Sequence, residues 1–412
     1  PLRRPQPGLR LSARLGIRVM KLDGPILAAA AQIAPVFMKK KESVEKYAEA
    51  IAEAGRQGVD LVVTPETGIP TYPYWRNNFG YTSTESAAFW KDTVVAFYDQ
   101  SIRIPSRETE ILSKAAAAAR VVAVIGINEQ DDRDGSATLY NTMLFIDRDG
   151  TILGRHRKLV PTHQERFFWG RGEASDLRVF DTHFGKLGGL VCFENHMTLL
   201  KAAMATKGEE VHAACWPGWW SYGGKGNSIR NMSGEVRPLY LSDQDSAIRE
   251  YAFETQTFVV SSSMFMPESA VPDDFPFKKT AAWKWAMGGS AIANPFGAYV
   301  TEPVFHREEL VLGELDPKDR IVAKNVFDCM GHYSRWDVVS LRLRDEDFGP
   351  TGLRPPGFGQ ARRSSAEAAG SSAKRRIRWD QLEQVAQKHA LAPEKIESIA
   401  RDLEDLDVDV EP

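Results

Sequence analysis

"ILAAAAQIAPVFMKKKESVEKYAEAIAEAGRQGVDLVVTPE", residues 26–66, decides the fold. Its first eight residues are apolar enough for a buried strand. Val44, Tyr47, Ala48, Ile51 and Ala54 then recur at helical spacing and run out at a glycine. "VDLVVTPE" (59–66) is a second continuous apolar strand, stopped by Pro65. Two strands apolar throughout, joined by an amphipathic helix, predict a sheet covered by helices.

The alternation recurs outward along the chain. "ILSKAAAAAR" (111–120) precedes "VVAVIGINE" (121–129), and "TLLKAAMATKG" (198–208) precedes "EVHAACWP" (210–217). "QDSAIREYAFETQ" (244–256) precedes "TFVVSSS" (257–263), while "GGSAIANP" (288–295) and "LVLGEL" (310–315) read as later strands. Between them "YNTMLFIDRDGTILGRHRK" (140–158) reads as a hairpin turning at Asp149-Gly150. The layout is α/β with mixed sheets, one domain over 26–345. Residues 1–25, rich in arginine at the start, are expected to lie outside the fold, disordered or not native to the protein. Residues 346–378 are Pro/Gly/Ser/Ala-rich with basic clusters and read as a flexible linker. Residues 379–412 read as a short helical tail ending in acids.

Composition narrows the partners. With 43% hydrophobic residues in 412, the chain can bury a large core, and a formal net charge of -3 provides no field for nucleic acid or anionic lipid. No apolar run reaches the roughly 18 residues of a membrane span. Three cysteines make no disulfide framework and point to a reducing, cytoplasmic setting. The eight histidines show no metal-ligand spacing.

One of the three cysteines has an unusual setting. "GGLVCFENHM" (188–197) leads an apolar strand into Cys192 and then into residues with helical spacing. Such a junction holds a sulfur at a sheet edge and aims helix amides at it, which is expected to lower its pKa below the free value of about 8.5. The amide of Phe193 is placed to stabilise developing charge. Taken singly, a free cysteine is more often an inert core residue. A papain-type pair would need His196, which lies in the following helix. The other activator is a carboxylate: Glu66 ends an apolar strand, where burial raises a carboxyl pKa toward that of a general base. An exposed loop glutamate is the plainer alternative, but "PETGIPTYPYW" (65–75) has the stiff aromatic composition of a pocket wall. In "HRKLVPTHQERFFWGRG" (156–172), Lys158 ends the hairpin's second strand and Glu165 follows seven residues on. Lys158 alone would pass for a solvated strand-end lysine. Beside carboxylates and a thiol, it would hold the base ionised.

These three segments, in this order and each at a strand end, resemble the Glu–Lys–Cys signature of the carbon–nitrogen hydrolase (nitrilase) superfamily. With "GGSAIANPFG" (288–297) and "GHYSRWDVVSL" (331–341), the chain looks most like the true nitrilase branch. The resemblance implies a four-layer α-β-β-α sandwich with a C-terminal extension, no cofactor, and homo-oligomers built from dimers that extend into spirals. It implies Cys192 as nucleophile, Glu66 as general base, Lys158 as the stabilising cation and Glu165 as a supporting acid. Two positions depart from the branch: Phe193 stands where tryptophan is usual, and Trp336 where proline is usual.

The implied activity is hydrolysis of an organic nitrile to the carboxylic acid and ammonia through a covalent thioimidate and thioester. The alternatives are an amidase or related C–N hydrolase, cyanide hydrolysis, and an inactive filament or scaffold protein. Tyr72, Trp75, His163, Trp169, Trp216 and Pro217, with Trp219 and Trp220, are expected to line an aromatic pocket suited to an aryl or arylalkyl nitrile.

Overall fold

The computed structural model of the chain describes residues 24–78, 84–220, 228–230, 236–238, 242–278, 285–344, 375–378 and 408–411. Strand β1 (Ile26–Gln32), helix α1 (Lys40–Arg56) and strand β2 (Leu61–Val63) form the unit read from residues 26–66, and β1 lies parallel to β2. Helix α1 buries Ser43, Val44, Tyr47, Ile51 and Ala54, one stripe of an amphipathic helix. Helices α2 (Thr84–Asp99) and α3 (Arg107–Ala119) follow, the latter opened by a Ser106/Thr109 capping box. Strand β3 (Val122–Gln130) runs parallel to β2, and β4 (Leu139–Ile146) with β5 (Ile152–Arg157) makes the expected hairpin. Gly150 sits at its turn with φ 86, where other residues are strained.

The second half repeats the plan. Strands β6 (Phe180–Thr182) and β7 (Gly185–Val191) lead to α4 (Thr198–Thr206) and β8 (Val211–Trp216). The two short strands β9 (Ser228–Arg230) and β10 (Val236–Pro238) pair with each other. Helix α5 (Asp243–Thr255), β11 (Phe258–Ser263), β12 (Gly288–Ala293), β13 (Tyr299–Phe305), β14 (Glu309–Leu315) and α6 (Pro317–Val326) complete the unit. Two six-stranded sheets result, ordered β14-β1-β2-β3-β4-β5 and β13-β12-β11-β8-β7-β6. Each has three parallel strands at its centre and antiparallel strands outside. One continuous core, with residues from Ala28 to Phe145 of the first sheet and from Leu187 to Ile292 of the second, joins the sheets face to face. This is the α-β-β-α sandwich.

The chain divides into two compact units, residues 1–356 and 357–412. In the second, β15 (Arg375–Arg378) pairs in parallel with β16 (Val408–Glu411), so a short strand stands at the end of the stretch read as linker and another within the tail. The helical reading of the tail between them, and the reading of residues 1–23 as extraneous, lie outside the described residues.

Candidate active site

Four strand ends meet at one edge of the sandwich: β2 delivers Glu66, β5 delivers Lys158, β7 delivers Cys192 and β8 delivers Trp216. Bonds between the sheets tie these ends together. The Glu66 amide donates to the Trp216 carbonyl at 3.4 Å, and the Cys215 thiol donates to the Thr64 carbonyl at 3.1 Å. Cys215 is thus a packing residue between the sheets.

Lys158 has no exposed surface, and its ammonium lies between two acids. Its Nζ donates to Glu66 Oε1 at 3.0 Å and to Glu165 Oε2 at 2.8 Å. Glu66 Oε1 also accepts from Asn141 Nδ2 at 2.6 Å, while its Oε2 is buried without a partner. Glu165 is held by the Tyr72 hydroxyl at 2.6 Å and by the Thr162 amide at 2.7 Å. Two oxygens of the cluster are left open, Glu66 Oε2 and Asn141 Oδ1.

Cys192 opens a 3₁₀ turn (Cys192–His196) with φ 53, a left-handed conformation costly for a residue with a Cβ. Neighbouring side chains fix this turn. Asn195 Nδ2 donates to the Cys192 carbonyl at 2.9 Å and to the Leu190 carbonyl at 3.3 Å. Asn195 Oδ1 in turn lies 2.8 Å from His212 Nε2, and His212 Nδ1 lies 2.8 Å from Glu209 Oε1. Glu209 is accommodated because residue 188 is glycine: a Cβ there would lie 2.2 Å from Glu209 Oε1. Glu194 joins the turn to the lysine's strand. Its oxygens accept from the Val191 amide at 2.9 Å, the Leu159 amide at 2.6 Å and His156 Nε2 at 2.9 Å.

The electrostatics follow from burial. Burial pushes the Cys192 thiol well above its ordinary range, and the Glu66 carboxylate pushes it further, against the opposing pull of Lys158. This reverses the expected lowering: α4 begins at Thr198, six residues on, so no long helix points its first turn at the sulfur. The Phe193 amide does donate toward the sulfur and favours the thiolate. Burial raises Glu66 to about 7; the Lys158 ammonium opposes the rise and Glu165 adds to it. Burial alone would lower Lys158, but the two carboxylates outweigh it and keep the ammonium charged. A reluctant thiol therefore sits within electrostatic reach of a carboxylate tuned to accept a proton near neutral pH.

A cavity of about 310 Å³ opens onto Cys192 and Glu165, with Glu66 and Lys158 outside its lining. Cys192, Phe193, Glu165, His163, Trp216 and Pro217 line it. Arg76, Asn77, Thr162, Gln164, Trp219 and Asp243 also line it, and sequence reasoning had not picked out the arginine, asparagine, threonine, glutamine or aspartate. Tyr72, Trp75 and Trp169 lie behind the wall, at most 3% exposed. They pack with Phe37, Phe97 and Phe168 in a separate aromatic core, and the Tyr72 hydroxyl reaches Glu165. Trp220 packs on Phe305. Among the described residues no group of three His, Cys, Asp or Glu side chains could hold a metal ion, and no helix is long and apolar enough to cross a membrane.

Residues 27–325 match the carbon–nitrogen hydrolase family, and the chain belongs to that family. Within it the chain is similar to proteins named as nitrilases. It is 34% identical to "Nitrilase 3" of an unknown prokaryotic organism, over 77% of this chain and 90% of the relative. It is 33% identical to the nitrilase of Paraburkholderia phymatum, over 79% and 88%. It is 35% identical to an aliphatic nitrilase of Rhodococcus rhodochrous, over 78% and 83%. Among solved structures, Saccharomyces cerevisiae Nit3, a member of branch 10 of the nitrilase superfamily, shares the fold with a TM-score of 0.55 and 20% identity, over 75% of this chain and 97% of that one.

Proposed function

We propose that the protein hydrolyses an organic nitrile to the carboxylic acid and ammonia, with Cys192 as nucleophile. The observation that carries this reading is the open Oε2 of Glu66, in a buried carboxylate whose other oxygen is held by Lys158 and Asn141 and whose charge acts on the Cys192 thiol of the cavity wall. Similarity to nitrilases over more than three-quarters of the chain supports it.

Glu66 takes the Cys192 proton as sulfur adds to the nitrile carbon, and returns it to nitrogen to give a thioimidate. Glu66 then activates a water, which adds to the same carbon. The tetrahedral adduct expels ammonia and leaves a thioester. A second water releases the acid and restores the thiol. Two waters are consumed for each nitrile. Covalent attachment divides one slow hydrolysis into faster steps. Lys158 and the Phe193 amide stabilise charge as it forms, and Glu165 holds Lys158 in place. Phe193, Trp216 and Trp219 give the cavity apolar aromatic surface, which supports an aryl or arylalkyl nitrile.

Ammonia release from a panel of nitriles and the matching amides tests the assignment. Nitriles are expected to turn over and Cys192→Ala to abolish the reaction with the fold intact. Turnover of amides alone, or by the alanine variant, would refute it. Homo-oligomer formation is part of the same reading. The outer faces of α4, α5 and α6 expose Leu199, Phe253, Ile321, Val322 and Val326, which supports it, and sedimentation as a monomer would exclude it.

A further inference from the structure

Arg76 stands on the cavity wall with no ion pair among the described residues. Its Nε and Nη1 are buried with no hydrogen-bond acceptor. The guanidinium lies instead over two rings, 4.1 Å from the Trp219 centroid and 5.2 Å from that of Tyr72. Ring faces attract a cation but do not accept its N–H groups as an anion would. Arginine stays charged in proteins, so a partly buried guanidinium in this state carries an unmet desolvation cost. A second donor of the wall is in the same condition: Trp216 Nε1 is buried and unpartnered. The cavity offers donors that no described residue satisfies.

We infer that Arg76 recognises a carboxylate carried by the nitrile substrate, so that the preferred substrates are cyano-carboxylic acids. This rests on the nitrilase reading and specifies its substrate class. Carboxylate is favoured over a neutral acceptor because the unmatched quantity is a whole charge. The Tyr72 ring links Arg76 to the catalytic cluster, its face under the guanidinium and its hydroxyl on the Glu165 carboxylate at 2.6 Å. The aromatic surfaces of Phe193, Trp216 and Trp219 then flank the spacer between the substrate's two functional groups.

Asp243 is the rival feature. It lines the same cavity, and its Oδ1 is buried without a donor. Burial raises its carboxyl pKa, with the Gln244 amide and the nearby His196 opposing the rise. An ammonium-bearing nitrile is the substrate that Asp243 would select, and the test separates the two.

The experiment measures ammonia release from cyanopropanoate and cyanobenzoate, each against its neutral isopropyl isostere and its ammonium analogue, with the full-length wild-type protein, Arg76→Met and Arg76→Lys. Wild type is expected to favour the acids over the isosteres by about 10- to 100-fold in kcat/KM, mostly through KM, as for a bond to a charged group. Arg76→Met should reduce that ratio at least about tenfold, and Arg76→Lys should restore part of it. Should Arg76→Met not fold, the wild-type ratio decides alone. Acids no better than their isosteres, a ratio unchanged in Arg76→Met, or preference for the ammonium analogue would each overturn the inference. Loss of turnover on every nitrile would instead refute the nitrilase reading beneath it.

Discussion

Lys158, Glu66 and Glu165 hold one another through bonds of 3.0 and 2.8 Å, whereas Arg76, on the wall of the same cavity, keeps two guanidinium nitrogens without an acceptor. The first cluster is nearly saturated before any substrate arrives. It is preorganised, so no dipoles need turn when charge develops at the reacting carbon. The second region is unsaturated, and its missing partner has to come with the ligand. Chemistry is therefore built into the protein, while part of the recognition waits for the substrate.

The comparison can be broken most severely at the saturated end. Lys158→Ala leaves two buried carboxylates facing each other, and Glu66→Gln removes the proton acceptor. Both should lower kcat by about a thousandfold or more, because such groups act as a unit. Lys158→Ala should also lose about 3–5 kcal/mol of stability, as when one partner of a buried ion pair is deleted, measured by urea unfolding. Near-normal rates in either variant would mean that the saturated cluster does not perform the chemistry.

A pH profile sharpens the contrast. With its carboxyl at about 7, Glu66 is protonated on the acid side and cannot accept the Cys192 proton. The kcat/KM should therefore fall about tenfold per pH unit below that region and level off above it. Glu66 acts on the sulfur whatever the substrate carries, so acids and neutral nitriles should share the same acid limb. An acid limb that differs between the two substrate types would place the titrating group in the recognition region instead.

A smaller effect is expected from the support of the nucleophile turn. Asn195→Leu removes the donor to the Cys192 carbonyl and frees the left-handed turn to relax. Loss of about tenfold in kcat, with KM changed less, is the expected outcome for a displaced sulfur. An effect on KM alone would contradict a positioning role for Asn195.

How far the sequence exposed these regions depended on whether a strand carried the residue. Glu66, Lys158 and Cys192 lie at the ends of strands cut short by proline or by a turn, so their placement at a sheet edge was legible. Arg76 lies in a 3₁₀ turn and Asp243 at the first position of α5, and only the packing of two distant loops brings them to one cavity. Nothing in the spacing of Arg76 and Asp243 announces that. The aromatic loop misled in one respect. Its prolines and rings suggested a pocket wall, yet Tyr72 and Trp75 turn inward, where Phe37, Phe97 and Trp169 supply enough apolar surface to bury them. The cysteine's pKa was misjudged for a related reason. Local pattern showed residues of helical spacing after Cys192, but the 3₁₀ turn between them and the depth of burial are tertiary facts.

Mass analysis of the protein quenched during turnover of a slow nitrile tests the central claim most directly. A substrate-derived adduct should appear on the peptide that contains Cys192 and be absent from Cys192→Ala, which releases no ammonia. An adduct confined to Cys215 or Cys329, or full ammonia release from the alanine variant, would contradict the account.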